Sequence, residues 1–429
     1  MRGVRAPGAY RRAGFSPAPV PLNKLSLPWL ILLGALTAIG PLSIDMYLPA
    51  FPAMEGELKA APGSMEYTLA SFFIGMALGQ LFYGPLADRF GRKPVLLFGV
   101  GVYVVFSLLA TLAPTFDTLI LARIGQGLGS ACTRVLAVSI VRDRYEGRTM
   151  ARVMSFSFLV FLGVPILAPS LGQLIMLVGP WRWIFAGLGL IGVALIVWAT
   201  LRLPETLKPE DRLPIQFKRL TAAYKIALTD RTAVGYTLAM TAITGALFGF
   251  INSSQQIFAD VFQAEAAFPA IFALIAGGIA VASIVNARLV VKLGSRKISH
   301  TALIGFTAIS AVHAGVAISG HESIWTFAVL QTLTMFCFGL LAGNFGAMAM
   351  ETMGKIAGTA ASIQGFISTI VGSLLGFAVG QQFNGTTIPM SVGFTVFGLI
   401  ALGWVLFAER GRLFRAHHLP PVVQAYSET

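Results

Sequence analysis

The sequence predicts an all-α polytopic membrane protein with twelve transmembrane helices in two pseudo-symmetric six-helix bundles. Three observations carry this. Of the 429 residues, 56% are apolar and 11% charged, against roughly a quarter charged in a soluble domain. The apolar residues form continuous runs, without the alternation that a membrane β-barrel requires. Twelve crossings of about 20 residues need about 240 apolar-compatible positions, which is what 56% of 429 supplies.

In chain order, runs between charged or Pro/Gly breaks place helices at 29–52, 66–87, 95–113, 118–141, 152–178 and 182–203. A second six follow at 233–259, 267–291, 300–318, 323–349, 357–381 and 388–408. The organisation is then a tail (1–28), a bundle (29–203), a linker (204–232), a second bundle (233–408) and a tail (409–429). The first tail has no short apolar stretch with a small-residue cleavage site and reads as retained. Within the linker, Pro214–Leu228 has helical spacing with a basic and an apolar face, which suits the surface of a leaflet.

An even number of crossings puts both tails on one side. Of the 31 Lys and Arg, Lys59 and Arg182 are in loops on one side, Arg123 and Arg134 lie inside the fourth crossing, and 27 fall on the other side. Positive-inside bias makes that other side, with both tails and the linker, cytoplasmic. The net charge of +13 is scattered over short loops, so a nucleic-acid surface is not expected. Cys132 and Cys337 lie far apart in apolar runs, and the five His have no ligand spacing; no disulfide and no metal site are expected. With no Walker loop and no nucleophile constellation, neither a cofactor nor an enzyme is expected.

The densest knot of charge and glycine is Gly84–Lys93, with Asp88, Arg89, Gly91 and Arg92 between two crossings. A loop this short constrains how those crossings move and reads as a gate. It echoes in the second half, where Lys292-Leu293-Gly294-Ser295-Arg296 follows Arg89–Lys93 at an offset of 203, as a repeat of two bundles requires. Glycines four apart recur, as at Gly75/Gly79 and Gly125/Gly129, where close backbone packing is the plain reading.

Asp45 is the one acidic residue that these boundaries place well inside a crossing. A charge there costs several kcal/mol unless paired, wetted or neutralised, so it is a functional candidate. It sits about five residues past the middle of its helix, roughly 7–8 Å off centre; Arg123, on a helix of opposite direction, is roughly 9 Å off centre towards the same face. Pro41 and Pro49 remove helix N–H donors on either side of Asp45, freeing acceptors that need protein or a wet cavity.

Three motifs resemble those of the major facilitator superfamily, and more narrowly its 12-helix drug:proton antiporters. Gly84–Lys93 is similar to the loop between helices two and three. Arg123-x-x-Gln126-Gly127-x-Gly129 resembles the fourth-helix motif of proton-coupled members. Ala168-Pro169-Ser170-Leu171-Gly172-Gln173, preceded by Pro165, resembles the fifth-helix antiporter motif, with Val164, Ala168 and Gln173 where that pattern has glycine. Asp45-Met46-Tyr47-Leu48-Pro49, Trp181–Phe185 and Leu203-Pro204-Glu205-Thr206 are similar to the Bcr/CflA (bicyclomycin and chloramphenicol resistance) branch.

The resemblance implies a monomeric transporter of a bacterial inner membrane, exporting small amphipathic compounds against protons by alternating access. It sets helices one and four side by side, so that Asp45 and Arg123 can interact directly or through water. A carboxylate whose wetness or distance from a guanidinium changes between states can load and release a proton. A fixed ion pair with Arg123 and direct contact with substrate are the other roles open to Asp45. Arg134 can snorkel, line a cavity or bind an anionic group. Tyr47, Phe73 and Phe336 can add adaptable apolar lining, with helix packing or lipid contact the other role open to each, and Asn252 and Gln256 can bond a ligand or a neighbouring helix. One buried acid against two arginines favours neutral or weakly anionic substrates. Resemblance also sets Asp88 near the start of helix eleven, where N–H groups of Ala357–Ala360 attract it. A proton-coupled metabolite transporter and a ligand sensor that does not transport are the competing readings.

Overall fold

The computed structural model describes residues 27–61, 63–145, 147–212, 217–353 and 357–414. Every regular element among them is helical. The first half comprises α1 (Leu27–Asp45), α2 (Phe51–Leu58), α3 (Glu66–Phe90), α4 (Arg92–Thr111), α5 (Phe116–Arg144), α6 (Gly147–Val178) and α7 (Arg182–Arg202). After α8 (Phe217–Thr229) in the linker come α9 (Arg231–Gln256), α10 (Phe268–Leu293), α11 (Ser295–Ile318), α12 (Ile324–Met350), α13 (Ala357–Gly380) and α14 (Ile388–Ala408). Among the described residues, 11 helical stretches are long and apolar enough to cross a membrane, and α6 carries a further apolar stretch over Gly163–Val178. The chain is a multi-pass membrane protein.

The first predicted crossing is not one helix. It stops at Asp45, passes through a single 3-10 turn at Leu48–Ala50 and resumes as α2. Pro49 and Pro52 cannot donate to the preceding turn, so the helix expected over 29–52 is broken after Asp45. The end of the molecule where α1 begins and α14 stops is called basal below, and the other end distal.

Within the first half α3 and α4 pack on α5, α4 on α7, and α1 on α5 and α6; within the second, α13 and α14 pack on α9, and α12 on α10 and α11. Lipid offers no hydrophobic drive for such contacts, so close backbone approach has to supply it. An added Cβ at Gly75 would lie 1.9 Å from the Ile124 carbonyl oxygen, and one at Gly127 2.0 Å from that of Phe72. Only glycine permits this crossing of α3 and α5. The halves meet along two seams, α3 with α13 and α6 with α10. Along the first, Tyr67 meets Phe377 with ring centroids 4.7 Å apart and Gln80 Nε2 donates to Thr369 Oγ1 at 3.1 Å, and beside it Phe73 meets Phe248 of α9 at 4.0 Å.

The repeat is visible at the basal end. Gly91 (φ 101°) and Gly294 (φ 78°) each turn one helix into the next, a backbone region that disfavours other residues. In the first half Arg92 pairs with Asp88 (2.6 Å) and Asp143 (2.8 Å); in the second Arg296 pairs with Glu351 and Glu409, both at 2.7 Å. The paired arginine is thus shifted by one residue relative to the glycine register.

Candidate functional site

The site is built around the break after Asp45. Gly172 of α6 lies so close that an added Cβ would be 1.7 Å from the Met46 carbonyl oxygen. The third motif of the sequence therefore presses directly on the backbone that follows Asp45. Asp45 is 3% exposed, and its Oδ1 has no hydrogen-bond partner.

Arg123 is fully buried on α5. Nη2 donates to the Ser43 carbonyl (2.9 Å), Nη1 to Gln126 Oε1 (2.5 Å) and Nε to the Thr68 carbonyl (3.3 Å). Its guanidinium lies 4.4 Å from the ring centroids of both Tyr47 and Phe72. Gln126 in turn donates to Ser107 (2.9 Å), and Ser43 shares a hydrogen with the Tyr103 hydroxyl (2.7 Å). The direct Asp45–Arg123 pairing left open by the sequence is absent: no ion pair joins them among the described residues. The arginine fork is satisfied by neutral acceptors and two ring faces, which ties α1, α3, α4 and α5 together two residues from Asp45.

Eleven residues along α5, about three turns and 16 Å, Arg134 lies on nearly the same face as Arg123. It is exposed, as are Val138 and Arg142 one and two turns further on. That face is sealed at Arg123 and open from Arg134 to the basal end. The distal end is shut: Gln381 Nε2 donates to Glu66 Oε2 (3.0 Å) and reaches the Gly63 carbonyl (3.4 Å).

The proposed lining residues divide accordingly. Tyr47 is fully buried within the first bundle, its hydroxyl 2.9 Å from Thr68 Oγ1 and its ring against Phe51 and Phe185. Phe73 is fully buried in the seam, and Phe336 is half-buried. Asn252 is 2% exposed with Nδ2 bonded to the Phe248 carbonyl (2.8 Å), and neither its Oδ1 nor Gln256 Oε1 has a partner. Pro165 and Pro169 lie within an unbroken α6.

At the basal loop, Arg92 is the buried hub, whereas Arg89 stacks on Phe90 at 5.5 Å. Gly84 approaches the second half, where an added Cβ would be 3.9 Å from Ser362 Oγ. Asp88 pairs with Arg92; of the Ala357–Ala360 turn expected to attract it, the side chain of Ala360 alone is described. Glu205 was not singled out from sequence, yet its carboxylate accepts the N–H of Arg92 (2.9 Å), Lys93 (3.2 Å), Thr206 (2.9 Å) and Leu207 (3.0 Å). It caps the start of α4, as an anion at a helix N-terminus does. Its signal was the Leu203–Thr206 motif. Two buried acids were also missed, Glu66 (1% exposed) and Glu409 (6%), because both sit at helix ends and the fold alone encloses them.

Two helix bundles joined by a linker and meeting along two seams make up the fold. A family model described as Major Facilitator Superfamily matches residues 33–377, and the chain belongs to that superfamily. It is 30% identical to an uncharacterized MFS-type transporter, YdgK, of Bacillus subtilis, over 90% of this chain and 96% of the relative. It is 29% identical to a bicyclomycin resistance protein homolog of Haemophilus influenzae, over 86% of this chain and 92% of the relative. In fold it is similar to a crystal structure of a D-xylose-proton symporter, at a TM-score of 0.70 and 13% identity, covering 91% of this chain and 99% of that one.

Proposed function

We propose that this chain is a proton-coupled exporter of small amphipathic compounds, acting as a monomer by alternating access in a bacterial inner membrane with both tails cytoplasmic. The observation that carries the reading is Asp45: a buried carboxyl with an unpartnered oxygen, on a helix break held by Gly172 and two residues from the carbonyl that binds Arg123. A carboxyl in such surroundings is stable when neutral and needs water or a cation when charged, so opening and closing of the site load and unload a proton. The name of the Haemophilus relative supports a drug-like cargo. Arg134 on the open face supports neutral or weakly anionic cargo, and its position supports an inward-open state. One proton moving down 100 mV supplies about 2.3 kcal/mol, enough for a gradient of roughly 50-fold at about 1.4 kcal/mol per tenfold. The test is efflux of bicyclomycin and chloramphenicol from cells carrying wild type or Asp45→Asn. Loss of efflux in the variant is expected; undiminished, equally pH-dependent efflux refutes the assignment.

A further inference from the structure

Glu66 opens α3 at the distal, outer end of the seam between the halves. It is 1% exposed. Its Oε2 accepts from Gln381 Nε2 at 3.0 Å, and its Oε1 has no partner. The fit is close: an added Cβ on Gly380 would lie 2.4 Å from Glu66 Oε2 and 3.1 Å from Asn252 Cβ, and one on Gly63 3.0 Å from Gln256 Nε2. The Gln256 amide also reaches this carboxyl.

The charges around it have the wrong sign for a carboxylate. No cation pairs with Glu66 among the described residues; the charged group whose field reaches it is Glu55 of α2, itself bonded to the Gly63 N–H at 2.8 Å and facing Asp260 beyond α9. Lys59, on the same loop, is exposed. The elements packed against Glu66 from the second half present neutral amides: Asn252 and Gln256 on α9 and Gln381 after α13. Three oxygens at this seam, Glu66 Oε1, Asn252 Oδ1 and Gln256 Oε1, are buried acceptors without donors. A proton on Glu66 removes the buried charge and supplies a donor to that acceptor set; a bare carboxylate leaves both deficits in place.

We propose that Glu66 is a proton-operated latch on the outer seam: protonated from outside it lets the halves close, and ionised it draws water and holds them apart. The proposal rests on the proton-coupled reading above and adds a second group to it. Asp45 carries the transported proton, and Glu66 makes an acidic outer side a condition of the return to the inward-facing state.

The test places spin labels at Lys59→Cys and Asn384→Cys, exposed positions on the outer loops of the two halves. The full chain is used, with Cys132 and Cys337, both buried, replaced by alanine, in lipid nanodiscs and without substrate. Pulsed EPR then follows the closed population from about pH 5 to pH 9, a range that brackets a buried carboxyl. Wild type is expected to lose most of its closed population as pH rises. Glu66→Gln, which keeps the shape and cannot ionise, is expected to lose most of the pH response, and Asp45→Asn, which removes the other group that titrates with opening, is expected to keep a pH-dependent loss of its closed population. Gln381→Ala, which removes the donor alone, is expected to lower the closed population at every pH while retaining the pH dependence. The latch is refuted if Glu66→Gln opens along the wild-type curve, if wild type shows no response, or if Asp45→Asn abolishes the response. Gradient-driven efflux by wild-type proteoliposomes is measured alongside: its absence sinks the proton-coupled reading, whereas its presence with an unaltered Glu66→Gln curve sinks the latch alone.

Discussion

Gly172→Ala is the substitution whose effect follows most directly from geometry. The new Cβ would stand 1.7 Å from the Met46 carbonyl oxygen, and contacts below 3.0 Å are essentially never seen, so α6 and the Asp45 break must part by about 1.3 Å. Both atoms belong to rigid surroundings, one side chain root and one backbone carbonyl, so no rotamer relieves the clash. Overpacking of this kind costs about 1–3 kcal/mol. Gly163→Ala is the internal control: it lies nine residues earlier on the same helix, and its Cβ would have nothing within 4 Å. Both variants gain the same helix propensity, about 1 kcal/mol, so the difference between them isolates the clash. Thermal unfolding in detergent should place Gly172→Ala below Gly163→Ala, and efflux by Gly172→Ala should fall by roughly tenfold or more, since about 1.4 kcal/mol corresponds to tenfold. Equal stability and equal efflux of the two alanine variants would refute the argument that Gly172 sets the site.

Arg123→Lys keeps the charge but loses the fork that reaches Ser43, Gln126 and Thr68; efflux should drop by about an order of magnitude or more with the protein still inserted, because a lysine cannot serve three divergent acceptors. Glu205→Ala leaves the Arg92 and Lys93 N–H groups at the start of α4, and those of Thr206 and Leu207 in the linker, without their acceptor; a loss of about 1–2 kcal/mol in thermal stability is expected, and Glu205→Gln should recover part of it.

The helices were legible in the sequence because a membrane span is a composition and a length, both local. The repeat was legible because a glycine with positive φ cannot be replaced freely, so Gly91 and Gly294 marked the same turn in each half. What ties distant segments together was not. Glu66 reads as an ordinary helix-start acid until α13 and the end of α9 close over it, and Glu205 reads as a linker acid until it folds back onto Arg92. The network on Arg296 was hidden for the same reason: its partners, Glu351 and Glu409, lie 55 and 113 residues away. At Asp45 the prolines announced a disturbed helix, but the close packing of the break against α6 depends on Gly172, a residue of another helix. Arg123 was found by its depth and by the fourth-helix motif, but its partners are neutral oxygens and rings, which no sequence pattern of opposite charges can reveal.

Reconstitution tests the central claim most directly. Proteoliposomes holding a pH-sensitive dye and a proton gradient receive the compound that the cell assay shows to be exported, and the compound-induced collapse of the gradient is recorded. Wild type should collapse it, and Asp45→Asn, equally well reconstituted, should not. Collapse at the wild-type rate by Asp45→Asn would contradict the account.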